Sequence, residues 1–116
     1  MSKAFDHEEL MDRLDGDYEF LEESIEIFDE DAEPLLDQIR EAVAARDAAA
    51  LVTPAHTLKG MVSNFCAATA EHAARDLEMR GRENRFDDVD GLVQTVVEET
   101  SRLRTDLQAF LEEQQG

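Results

Sequence analysis

Apolar residues recurring in alternating steps of four and three constrain this chain more than anything else in it. Leu21, Ile25, Phe28, Ala32, Leu35, Ile39 and Ala42 keep that rhythm unbroken. They lay one apolar stripe along a helix of roughly seven turns. Leu51, Ala55, Leu58, Val62 and Phe65 form a second stripe. Ala70, Ala73, Ala74 and Leu77 form a third, and Val89, Val93, Val96, Thr100, Leu103, Leu107 and Phe110 a fourth. No segment shows the period of two that a half-buried strand requires. Four amphipathic helices with short links can bury their stripes only against one another. The expected fold is all-α, an antiparallel four-helix bundle with a short additional helix at the N-terminus, around Asp6 to Leu14.

Local signals give the boundaries. Asp17 follows the Asp15-Gly16 turn and is the expected N-cap of the first long helix, and Asp47 that of the second. Pro34 should bend or break the first, and Pro54 should kink the second one turn before His56. The third helix should run from Ala68 to Arg80 and end at Gly81 as a C′ residue. A loop over Arg82 to Asp87 then leads to the fourth. With 116 residues, 42% hydrophobic, there is room for one domain and one core.

The single cysteine, Cys66, excludes an internal disulfide and fits a reducing compartment. Met1 to Leu14 is too polar for a signal peptide, and no run of about 18 apolar residues exists for a membrane span. A cytoplasmic monomer with no membrane association is expected. A formal charge of −18 argues against nucleic acid, whose phosphates would be repelled. The charge is uneven. Residues 1–47 hold 17 acids and 4 bases, and residues 83–116 hold 9 acids and 3 bases. The stretch between them holds only Glu71, Asp76 and Glu78 against Lys59, Arg75, Arg80 and Arg82. That stretch alone can receive another anion at tolerable cost.

It also holds a histidine in an unusual position. On a helical wheel the second stripe centres on Leu58, and His56 lies about 160° away, with Gly60 and Ser63 beside it and Lys59 at its margin. A neutral imidazole in solvent is a nucleophile able to take a phosphoryl group. Lys59 supplies a mobile countercharge. Gly60 costs about 1 kcal/mol relative to Ala in mid-helix, and so suggests close approach of a partner. Helices two and three form a hairpin turning near Cys66, which brings Glu78 to nearly the height of His56. From there its carboxylate can accept a hydrogen bond from one ring nitrogen and leave the other free. Arg82, four residues on, is placed to assist with the phosphate. The docking surface is expected to include Val52, Thr53, Ser63 and Arg82.

These residues carry a resemblance. Ala55-His56-Thr57-Leu58-Lys59-Gly60, then Asn64-Phe65-Cys66-Ala67 and Leu77-Glu78-Met79-Arg80-Gly81-Arg82, resemble the histidine-containing phosphotransfer (HPt) domain. Leu14-Asp15-Gly16-Asp17 and Phe28 to Leu35 resemble that family's first helices. The likeness covers about residues 8–111, so residues 1–116 read as a single HPt-like domain. It implies that His56 is the phosphoacceptor, that Lys59 supports the phosphate, that Gly60 leaves room for the partner, and that Glu78 holds the imidazole. It implies a phosphocarrier without catalytic activity of its own. The partners implied are response-regulator receiver domains and a (hybrid) histidine kinase, with Mg²⁺ on the receiver and no cofactor on this chain. Two positions depart from the family pattern: Met61 stands for a small residue, and Cys66 for a glycine in the turn, where it requires a strained or a different backbone.

Other chemistry is excluded. Met11 and Arg13 occupy ligand positions in the one calcium-loop register, Met11 to Glu22, and Phe86 to Val97 fails at both ends. There is no Glu-x-x-His pair for a di-iron site. Three scattered histidines do not make a zinc site, and no Gly-rich loop is present to hold a nucleotide. His7, near a frayed end, and His72 read as ordinary surface residues, and Cys66 as a small hydrophobe. A different class of function is a non-phosphorylated helical adaptor that binds or sequesters a receiver domain; it has no need for His56, Lys59 and Glu78 together. A placement within a larger chemotaxis-type kinase fits less well with a chain ending at Gly116 without a catalytic domain.

Overall fold

The computed structural model describes residues 4–115 and contains five helices. The helices are α1 (His7–Leu14), α2 (Tyr18–Ala45), α3 (Ala48–Asn64), α4 (Ala68–Arg82) and α5 (Val89–Gln115). The four long ones close a ring in which α2 packs on α3, α3 on α4, α4 on α5 and α5 on α2, with the most extensive contact between α3 and α4. Short α1 lies against α2. The expected four-helix bundle with its N-terminal helix is what the chain forms.

The first three helices start at acidic caps. Asp17 accepts from the Phe20 amide at 3.0 Å and Asp47 from that of Ala50 at 3.1 Å. Asp6 does the same for α1, accepting from the Glu9 amide at 3.0 Å. Each satisfies a donor that the first turn cannot use internally. The core is aliphatic: Leu21, Ile25, Ile39, Leu51, Leu58, Leu77, Leu103 and Leu107 are almost completely buried. It includes aromatic contacts of Phe28 with Phe65 and of Phe5 with Phe110, with ring centroids 5.3 and 5.4 Å apart. Across the α2–α5 seam, Arg104 reaches both Asp29 (3.0 Å) and Glu33 (3.1 Å) and offsets part of the acidity of α2.

Five expectations need correction. Leu36, not Leu35, is buried between Ala32 and Ile39, because a second step of four keeps the stripe on the inner face. Val93 is only half-buried, whereas Leu111 joins the core beside Phe110. Pro34 does not break α2, which runs through it, and α3 likewise continues through Pro54. Pro34 and Glu30, whose carbonyl loses its helical donor to the proline, both lie on the exposed face of α2. Helix α4 does not end at Gly81: it runs through Arg82 to a cap at Glu83, and the left-handed residue is Asn84 (φ 53°). His7 is not frayed, because Ala4 and Phe5 are buried and the His7 ring stacks on Phe5 at 4.3 Å, close to Phe110.

The strained turn expected at Cys66 is present, with φ at 59°. Its carbonyl accepts from the Asp6 amide at 2.9 Å, which ties the N-terminal segment to the α3–α4 turn. Burial pushes the Cys66 thiol above its ordinary pKa, away from the reactive thiolate. Among the described residues no helix is long and apolar enough to cross a membrane.

Because Pro34 removes a backbone donor inside α2, Pro34→Ala should raise unfolding free energy by about 1–3 kcal/mol. Urea denaturation followed by circular dichroism measures this; an unchanged or lowered midpoint would show that the proline fits its site without cost.

Candidate functional site: a histidine and a shared carboxylate

The α3–α4 hairpin brings His56 and Glu78 together. The two helices are antiparallel around the turn at residues 65–67, so residues at similar distances on either side of it meet. His56 Nδ1 lies 3.0 Å from Glu78 Oε2. The imidazole projects outward with 61% of its side chain exposed, while the carboxylate beneath it is only 5% exposed. The ring is not enclosed by the core.

Glu78 is shared. Lys59 Nζ, from α3, approaches Oε1 at 2.7 Å. Arg82, one turn along α4, donates to Oε2 through Nε (3.1 Å) and a terminal nitrogen (2.7 Å). The Lys59 ammonium, with help from Arg82 and His56, holds the Glu78 carboxyl down to a pKa of about 2 against the opposing effect of burial. Glu78 is therefore a carboxylate at neutral pH and can only accept. Nδ1 must carry the proton of the shared hydrogen bond, which leaves the Nε2 lone pair of a neutral ring facing solvent.

The remaining candidate residues fall into two groups. Gly60 and Thr53 are exposed on the same helix, and a Cβ built on Gly60 would meet nothing within 4 Å. Val52, expected on the open docking face, is instead half-buried, with its Cγ2 turned toward Gly81. Ser63 is also half-buried, and its carbonyl accepts from Arg13 at 3.4 Å. Arg82, expected to wait for a phosphate, is engaged with Glu78. Among the described residues no cluster of His, Cys, Asp and Glu is arranged to hold a metal ion.

One feature beside the site escaped the sequence reading. Phe20 (58% exposed) and Ile27 (56%) project from α2 into solvent. They border a groove of about 600 Å³ between α1, α2 and α3, floored by Leu21, Phe28 and Phe65 and reaching Thr57 and Met61. Phe20, Ser24 and Ile27 are spaced i, i+4, i+7, a second line next to the buried stripe. That spacing was the available signal.

The family model for the Hpt domain matches residues 23–114. The chain belongs to the Hpt domain family. This HPt protein is similar in fold to histidine-containing phosphotransfer protein B (HptB) from Pseudomonas aeruginosa PAO1, a crystal structure matched with a TM-score of 0.86. The two are 23% identical, and the match covers 97% of this chain and 98% of that one. Comparison with curated proteins gives no match. Membership assigns the HPt protein a phosphotransfer role in phosphorelay signalling, in a family of phosphocarriers.

A carboxylate held at a pKa of about 2 rather than its ordinary 4.5 stabilises the fold fully above pH 4.5 and loses that contribution as pH falls toward 2. In Glu78→Gln the loss of stability between pH 5 and pH 2.5 should therefore be smaller than in the wild type. Urea titrations at the two pH values check this; equal losses would mean that Glu78 is not held down in the folded state.

Proposed function

We propose that His56 Nε2 accepts a phosphoryl group from a receiver-domain aspartyl phosphate or a histidine kinase and hands it to a response-regulator receiver domain. The observation that carries this reading is the 3.0 Å contact between Nδ1 and Glu78 beneath a ring that is 61% exposed. A surface histidine without that contact would present either nitrogen; this one presents Nε2.

The Nε2 lone pair attacks phosphorus, a new N–P bond forms, and the P–O bond to the donor aspartate breaks with its electron pair leaving on the carboxylate. The ring, still protonated at Nδ1, becomes a phosphoimidazolium with positive charge spread over both nitrogens. Glu78 already faces Nδ1–H and stabilises that charge as it develops, without having to move into place. The return transfer reverses these steps, so the same carboxylate serves both directions. Lys59, only 25% exposed on Oε1, is near enough to turn its flexible ammonium toward the arriving phosphate. The divalent cation this transfer uses is expected on the receiver, and no cofactor is expected on this chain.

Gly60 and Thr53 offer a flat, open approach to the ring, and the Phe20–Ile27 groove lies next to it, ending at Thr57 and Met61. Exposed apolar residues beside a reactive group suit a docking surface. We assign the groove to the receiver domain. A receiver-binding adaptor would need the groove alone, whereas the paired His56 and Glu78 have a use only if phosphate is carried.

His56→Gln should abolish acid-labile labelling by a ³²P-phosphorylated receiver domain while leaving helical content unchanged; persistent labelling would place the phosphoacceptor elsewhere. Phe20→Glu and Ile27→Glu should each slow transfer about tenfold or more at subsaturating receiver by weakening docking. Saturating receiver should restore the wild-type rate, and a defect that survives saturation would remove the groove from the docking surface.

A further inference from the structure

Gly81 is buried, and its backbone is ordinary right-handed helix, so conformational freedom is not what it supplies. A Cβ at this position would lie 2.8 Å from Val52 Cγ2, 3.1 Å from the Ala48 carbonyl oxygen and 3.3 Å from the Val52 amide nitrogen. The first contact is with a methyl group that can turn aside. The other two are with the backbone of α3 and cannot. The helical glycines Gly60 and Gly91 show no such crowding, since a Cβ there would meet nothing within 4 Å. Glycine is the poorest helix former after proline, and here it lets α4 approach α3 more closely than any side chain would allow.

That approach occurs one turn from the site on both helices. Val52 precedes His56 by four residues, and Gly81 follows Glu78 by three. The two helices are antiparallel, so separating them at Gly81 separates His56 from Glu78. Lys59, with four methylenes, can follow a displaced carboxylate. The short, rigid imidazole cannot, and a 3.0 Å hydrogen bond is lost over a few tenths of an ångström to one ångström. We propose that the Gly81–Val52 contact sets the α3–α4 separation at the site, which makes Gly81 a positioning residue for the His56–Glu78 hydrogen bond and so for the free Nε2.

The activity consequence rests on His56 as the phosphoacceptor; the geometric consequence does not. In ¹⁵N NMR of the unphosphorylated protein at alkaline pH, the wild-type His56 ring should show protonated Nδ1 and unprotonated Nε2. Gly81→Ala should shift the ring toward the Nε2-protonated form that free histidine favours. It should also slow labelling by a ³²P-phosphorylated receiver domain by about ten- to a hundredfold. Adding Val52→Ala, which removes the nearest clash, should recover part of both. Gly91→Ala, the same change at an uncrowded helical position in α5, should leave the ring signals as they were.

A folded Gly81→Ala protein with the wild-type tautomer would overturn the proposal, whatever its labelling rate. If the tautomer shifts but labelling is unaffected in both Gly81→Ala and His56→Gln, the spacing role stands and the phosphoacceptor assignment fails. If Gly81→Ala does not fold alone, the double variant decides: a folded double variant with Nδ1 protonated supports the spacing role, and one without it overturns the role. Failure of both to fold would also overturn it, because the contact would then hold the bundle rather than the site.

Discussion

One carboxylate, buried between two antiparallel helices, answers to three side chains at once. Glu78 receives the His56 ring and the Arg82 guanidinium on one oxygen and the Lys59 ammonium on the other. A buried carboxylate without partners would protonate or destabilise the fold; with three, it stays ionised to about pH 2. Its permanent charge decides where the proton on the imidazole sits, and the position of that proton decides which nitrogen is a nucleophile. The tautomer of an exposed ring is thus governed from the interior.

This arrangement places precise chemistry on rigid parts. Every member of the cluster stands on α3 or α4, the most extensively packed pair in the bundle, and none on a loop. The acidity of the rest of the protein is kept away from it. The acids concentrate on α1, α2 and α5, and Arg104 binds two of them across the α2–α5 seam. At the site, Lys59 and Arg82 together outnumber Glu78 by one charge, which makes a locally cationic surface on a strongly anionic protein. The groove beside it adds apolar area. Attraction at the proposed phosphoacceptor ring and burial in the proposed docking groove are complementary ways to seat a partner.

Much of this was legible in the chain itself. The alternating steps of four and three determined four amphipathic helices, because only a 3.6-residue period collects those residues on one face. Asp17 and Asp47 marked helix starts, since an unpaired amide turn needs an acceptor. The wheel placed His56 opposite Leu58, and the hairpin arithmetic brought Glu78 level with it, because rise per residue is the same in both arms.

What the sequence left open was everything that depends on how near one helix comes to the next. Period alone does not say that Gly81 lies inside α4 and admits the α3 backbone rather than ending the helix. It does not say that Val52 turns inward, nor that Arg82 spends its charge on Glu78. Phe20 and Ile27 stand off the buried stripe, and only the placement of α1 and α3 beside them makes a groove. A one-dimensional pattern fixes the direction of each side chain about its own helix axis. The distance to the neighbouring helix follows from how the two surfaces interlock, and hydrogen bonds and ion pairs are decided over fractions of an ångström that only the packed structure sets.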